Sequence, residues 1–325
     1  MLKKIYLNKN LNENILFISG ISRSGKSLFA PIVSTLDKTQ NFQMIPEIEE
    51  IFRLYYIGKI SKEIASYIIK IYVNIKTYEN YIGRNFNFRK KEWTSIYNYK
   101  NIYEIKSILK IPHDVKTFHK INKNQILFPF MIHDGVLFFK LVLSIYNKCK
   151  FIHINRHPVD LVHSWANKFV GDFHKNDPKK NFHNFLQLEY KNKTRIPYWL
   201  VSKVNEYTKI HNFYDRIIFN IYYLLEKQNN IYEMLSKNDK KKIHIVYFDN
   251  FVTDPNNELN KICNFLSTKF TKNTKKILRR ERCPREINLQ DRYKKLIYLN
   301  QIISENSKKL LKKIYIKHEN RVGLY

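Results

Sequence analysis

The chain has 325 residues and a mass of 39.5 kDa; 44% of its residues are hydrophobic, 26% charged and 15% aromatic. So much aromatic surface does not stay solvated, which excludes a disordered chain, and the apolar fraction is ample for a buried core. Seven Gly and nine Pro exclude collagen-like and low-complexity classes. The formal charge of +30 comes from 58 Lys and Arg against 28 Asp and Glu. Because the lysines are spread along the whole chain, this charge favours an anionic ligand without specifying nucleic acid. Cys149, Cys263 and Cys283 are too few and too scattered for a disulfide framework or a Cys-rich zinc site, and read as thiols of a reducing compartment. No stretch reaches the ~18 uncharged apolar residues of a membrane span. The short apolar run at 15–18, followed by Arg23 and Lys26 with no small-residue cleavage site, does not make a signal peptide, so a cytoplasmic location is expected.

Taken along the chain, four short apolar runs read as buried strands: Ile15–Ser19, Gln125–Ile132 with Pro129 inside it, Phe151–Asn155 and Ile243–Phe248. Each precedes a segment of helical periodicity, beginning with Leu28–Leu36 after the first. Continuous apolar strands alternating with helices predict a three-layer α/β fold, a central parallel sheet with helices on both faces. Two long Tyr- and Lys-rich helical stretches, near 50–120 and 165–235, read as insertions into a single domain over residues 1–325. Leu296–Leu311 predicts a final packing helix with its lysines outward.

The strongest local signal follows the first strand: Gly20-Ile21-Ser22-Arg23-Ser24-Gly25-Lys26-Ser27. A Gly-rich turn that opens a helix aims backbone N–H groups and the positive end of the helix dipole at one anion. Lys26 and Arg23 add full charges, and Ser27 adds a hydroxyl. This loop is compatible with a kinase, in which Ser27 and an acidic residue at another strand end, Asp249 or Asp134, would hold Mg²⁺.

A second anion signal lies where the strand Phe151–Asn155 runs into Arg156-His157-Pro158. Pro at a first helical position is tolerated because its missing N–H has no partner there. Ser164 is about two helical turns beyond Arg156, so both can converge on one ligand at the carboxyl edge of the sheet.

Together these segments resemble the sulfotransferases that use 3′-phosphoadenosine 5′-phosphosulfate (PAPS). The family's loop Pro-(Lys/Arg)-Ser-Gly-Thr-Thr is matched by Ser22-Arg23-Ser24-Gly25-Lys26-Ser27. Its Arg-x-Pro-x-Asp with a Ser eight residues after the Arg is matched by Arg156-His157-Pro158-Val159-Asp160 and Ser164. Its Tyr-Glu-Asp-Leu-x-x-Asp-Pro resembles the segment from Tyr247 to Pro255, where Asp254 is placed to cap a helix begun by Pro255. The resemblance implies a P-loop-like sulfotransferase fold and sulfuryl transfer from PAPS to an acceptor hydroxyl, leaving the product PAP. It assigns Ser22, Arg23, Ser24, Gly25, Lys26 and Ser27 to the 5′-phosphosulfate, and Arg156 and Ser164 to the 3′-phosphate. ATP has no 3′-phosphate, so the second clamp argues against the kinase. Lys26 departs from the family's Thr and, with Arg23, would neutralise charge on the leaving phosphate; no metal is then expected.

In-line transfer needs a base within reach of the acceptor proton. By the resemblance, His133 after its strand and Glu47 after the strand that follows the loop helix are the two candidates, with Glu49 and Glu50 as substitutes for Glu47. Asp134 is placed to orient His133 or to contact the acceptor. His153 and His163 flank the second motif as packing residues. Arg279, Arg280, Arg282, Arg285 and Arg292 cluster near the C-terminus. There the family closes its cofactor site with a basic segment, which points to Arg280 and Arg282; a solvated basic helix face is the plain alternative. The expected partner is a small-molecule or glycan acceptor, with no specific nucleic acid and no membrane span.

Overall fold

A computed structural model describes residues 5–6, 9–123, 125–167, 186–191 and 194–322. The chain order begins with β1 (Ile15–Ser19), α1 (Lys26–Val33), β2 (Gln43–Met44), α2 (Pro46–Tyr56), α3 (Lys62–Tyr81), α4 (Ile102–Leu109) and α5 (Val115–Lys123). It continues with β3 (Phe128–Met131), α6 (Phe139–Ile145), β4 (Lys150–Asn155) and α7 (Pro158–Asn167). After the hairpin β5 (Gln187–Tyr190) and β6 (Thr194–Pro197) come α8 (Val204–Tyr207), α9 (Phe213–Glu233), α10 (Lys237–Lys240) and β7 (Ile243–Tyr247). The last helices are α11 (Phe248–Thr253), α12 (Pro255–Leu266), α13 (Lys272–Arg280), α14 (Leu289–Ile302) and α15 (Glu305–Val322).

Five strands form one parallel sheet in the order β2-β3-β1-β4-β7. The period of two along each strand divides the core between its faces. Ile15 and Phe17 of β1, Phe128 and Phe130 of β3, and Phe151 of β4 enter one core with helices that include α2, α3, α7 and α9. Leu16, Ile18, Met131, Ile152, Ile154 and Val246 enter the other, against α1, α12 and α13. Both faces are covered, which is why these strands read as continuous apolar runs. The expected three-layer α/β architecture is the one observed. Asp254 caps α12 by accepting from Asn257 N at 3.2 Å, and Pro255 opens the helix.

Pro129 lies within β3. Phe128 and Ile132 donate to Asn14 O and Ile18 O of the β1 segment, each at 3.0 Å. The intervening Pro129 therefore turns its missing donor away from β1, toward β2, which pairs only from Phe130 onward. The expected helix Leu28–Leu36 instead starts at Lys26, because Gly25 makes the left-handed turn (φ 108°) that begins it, and it ends at Val33. Leu296–Leu311 is two helices and not one. Ser304 starts α15, accepting from Lys308 N at 2.9 Å, while its own N–H is held by Asp215 Oδ1 at 3.0 Å. The insertion expected to be helical near 165–235 contains the antiparallel β5–β6 hairpin, and residues 168–185 of it lie outside the described residues. Among the described residues, no helix is long and apolar enough to cross a membrane.

Candidate functional site

The loop after β1 is built on left-handed turns at Gly20 (φ 153°), Arg23 (φ 66°) and Gly25 (φ 108°). At Gly25 the conformation and the space both demand glycine: a Cβ would sit 2.3 Å from the Phe248 ring. The loop is thereby pressed against the start of α11, which brings the first and third sequence motifs together.

The second motif closes on the same loop. Trp165 Nε1 on α7 donates to Ser22 O at 2.9 Å, Arg23 Nε donates to Ser164 Oγ at 3.0 Å, and an Arg156 guanidinium nitrogen donates to Arg23 O at 3.0 Å. The Arg156 guanidinium also lies over the Phe248 ring, 5.2 Å from its centroid, and Arg285 lies over the same ring at 5.6 Å. Burial holds Arg156 below the usual arginine range; the attraction of Asp160 and Asp249 balances the repulsion of Arg23 and Arg285 but does not overcome the burial. Arg156 Nε and Ser24 Oγ are buried with no hydrogen-bond partner. The first N–H groups of α1, which no helix satisfies internally, face the same loop. Three arginines crowd around these unsatisfied donors, an arrangement whose chemistry suits a multiply charged anion.

Lys26 is placed differently from the sequence expectation. Its side chain is buried, and Nζ donates to the carbonyls of Gly20 and Ile21, each at 2.7 Å. Burial lowers its pKa to about 8, against the opposing pull of Asp134 and Glu49. In this structure the ammonium stitches the base of the loop and does not project from it. Ser27 is exposed at the start of α1.

The carboxylate beside His133 is Glu49, not Glu47. Glu49 Oε1 accepts from His133 N at 2.9 Å and lies 3.0 Å from Nδ1, and Arg53 holds Oε2 at 2.9 Å. Burial alone would raise the Glu49 pKa; the imidazole and Arg53 overcome it and bring the pKa to about 2. Two helical steps turn Glu47 about 200° away from Glu49, onto the exposed side of α2. Glu50 is half-buried and pairs with Arg53. Asp134 does not orient His133 either. Its buried carboxylate accepts from Tyr198 Oη at 3.0 Å and Gln228 Nε2 at 3.3 Å, while its backbone N–H reaches Gly20 O at 3.3 Å. That last bond ties the turn carrying His133 to the start of the loop. His153 is buried against Ser19, with its pKa lowered to about 4 by burial and by Lys26.

The C-terminal arginines also separate. Arg280 pairs with Glu281 at 2.7 Å and lies over Tyr99, and Arg282 is exposed in a left-handed turn (φ 55°). The residue that reaches Phe248 is Arg285, whose N–H donates to Val252 O at 2.8 Å. Neither acidic residue considered for a kinase metal is open to one. Asp249 is paired with Arg292 at 2.7 Å, and Asp134 is held by Tyr198 and Gln228. Among the described residues, no group of three or more His, Cys, Asp and Glu side chains could hold a metal ion.

A Gly-rich loop joined by an arginine and a serine from the β4–α7 unit, its neighbour in the sheet, is an arrangement suited to a group-transfer enzyme. The sulfotransferase domain family matches residues 13–312, and the chain belongs to that family: it is a sulfotransferase. No curated protein matches it by sequence. Among solved structures it is similar to the sulfotransferase domain from the curacin biosynthetic pathway (12% identity, 82% of this chain and 77% of that one, TM-score 0.45). It is also similar to sulfotransferase STF9 from Mycobacterium avium (9% identity, 90% and 77%, TM-score 0.39). A third is a mouse sulfotransferase solved with PAP (13% identity, 83% and 65%, TM-score 0.33).

Proposed function

We propose that the chain transfers the sulfuryl group of PAPS to the hydroxyl of a small-molecule or glycan acceptor, with His133 as base and Glu49 as the residue that orients it. The observation that carries the donor assignment is the convergence of Arg23, Ser164, Arg156 and Arg285 beside buried donors with no protein partner. Two anion-binding elements, the loop after β1 and the Arg156–Ser164 clamp, suit a ligand with phosphates at two ends better than the single triphosphate of ATP.

PAPS supplies an activated sulfuryl group on a phosphate that can leave. Ser24, Gly25 and the first N–H groups of α1 would hold the 5′ end, with Arg23 neutralising charge as it develops on the leaving phosphate. Arg156, Ser164 and Arg285 would hold the 3′-phosphate. Lys26 supports the loop from within by its bonds to Gly20 and Ile21. Glu49 holds the Nδ1 side of His133 and would stabilise the imidazolium formed when Nε2 takes the acceptor's proton.

The test is titration of PAP into the metal-free protein and into Arg156→Ala. Binding in the first that falls at least tenfold in the second supports the assignment. Binding only of ATP with Mg²⁺ overturns it in favour of the kinase.

A further inference from the structure

Two carboxylates sit close to the Arg156 site, and both are held by one residue from the C-terminal region. Arg292 on α14 donates through Nε and a terminal nitrogen to Asp160 Oδ2 at 3.0 and 2.7 Å, and the same guanidinium lies 2.7 Å from Asp249 Oδ2. Asp160 belongs to the second motif and Asp249 to the third. Lys295 adds a second cation to Asp160 at 3.3 Å. For Asp249, Arg292 is the ion-pair partner that the described residues provide. The arginine is 7% exposed and both aspartates are largely buried, so these charges meet in a medium that screens them poorly.

Arg156 is the nearby cation that these carboxylates would otherwise recruit: Asp160 lies in the first turn of the helix that follows it, and Asp249 follows Phe248, whose ring the Arg156 guanidinium covers at 5.2 Å. Among the described residues it has no ion pair, and its Nε is unpartnered. An arginine free of carboxylates can meet a phosphate; one bound to Asp249 would have to give up a buried ion pair first.

We propose that Arg292 is a positioning residue of the donor site: by holding Asp160 and Asp249 it keeps Arg156 available to the phosphate. This rests on the reading of Arg156 given above. It also gives α14 a part in the site, which it reaches through the contacts of Arg292 with Asp160 and Asp249.

Isothermal titration with PAP tests it in wild type, Arg292→Met, Arg292→Met/Asp249→Asn and Arg156→Ala, with unfolding midpoints measured on the same samples. Arg292→Met is expected to weaken PAP at least tenfold. The double variant is expected to return to within about threefold of wild type, because the carboxylate that captures Arg156 is gone. A purely structural Arg292 would weaken PAP only in step with a lowered unfolding midpoint, so the loss of affinity in Arg292→Met is read on samples that remain folded at the titration temperature. Wild-type affinity in Arg292→Met, or a double variant as weak as the single one, overturns the proposal. Failure of wild type to bind PAP overturns the donor assignment instead. If Arg292→Met does not fold, Asp249→Asn alone decides: affinity equal to or above wild type supports the proposal, and a loss beyond threefold overturns it.

Discussion

Replacing Glu49 by Gln removes one charge and leaves the shape almost unchanged. In the native protein the carboxylate is 9% exposed and bonded to His133 and Arg53, with a pKa near 2 against an ordinary 4.5. A depressed acid contributes stability that is complete above the unfolded pKa and is lost as pH falls through the folded one. At 1.36 kcal/mol per pKa unit, Glu49 contributes about 3 kcal/mol at neutral pH, declining between about pH 4.5 and 2. For a chain of this length that corresponds to a midpoint lowered by about 5 °C in Glu49→Gln. The assay is thermal unfolding of both proteins from pH 7 down to pH 3, reading the difference between them. The gap should be several degrees at pH 7 and narrow steadily below pH 4.5. A gap under 1 °C at neutral pH, or one that stays constant with pH, refutes the reasoning. The same substitution should lower kcat by less than His133→Ala, for which general-base loss is about 10²- to 10⁴-fold. The double variant should be no slower than His133→Ala, because the carboxylate acts through the imidazole.

Arg285→Ala should weaken PAP binding at least fivefold, whereas Arg280→Ala, which removes a pair with Glu281 and a contact with Tyr99, should change it less than twofold by titration. Gly25→Ala should destabilise the protein by about 2 kcal/mol or more, since it adds a methyl into the Phe248 ring at a left-handed position; an unchanged urea midpoint contradicts this. Lys26 has a folded pKa near 8, below its unfolded value, so the unfolded state binds the extra proton between about pH 8 and 10.5 and stability there rises with pH. Wild-type stability relative to Lys26→Met should accordingly increase by about 3 kcal/mol across that window, and parallel pH curves for the two proteins would count against it.

The parallel sheet was readable because each buried strand is a short uniform apolar run, and both anion motifs were readable because they are local in sequence. Glu49 was harder: its offset from the strand resembles that of Glu47, and only helical rotation separates them. The signal was present, however, since Ile45, Ile48 and Phe52 form a buried stripe and Glu49 falls on that stripe while Glu47 does not. That Arg285, and not Arg280 or Arg282, reaches Phe248 could not be read from spacing. What selects it is a left-handed turn at Arg282 and a backbone bond to Val252, a long-range contact with no mark in the sequence around it. The inward turn of Lys26 is likewise decided in three dimensions, by two carbonyls within reach and by Asp134 in the turn after β3 and Glu49 on α2. The break at Ser304 interrupts a continuous apolar periodicity and depends on Asp215 capturing one backbone N–H.

The most direct measurement is calorimetric titration of PAP into the metal-free wild-type protein, paired with Arg156→Ala. Saturable binding that needs no Mg²⁺, exceeds that of 5′-AMP and drops at least tenfold in the variant is the expected result. PAP and 5′-AMP binding equally well, with no effect of Arg156→Ala, would contradict the assignment of a 3′-phosphate clamp and with it the proposed donor.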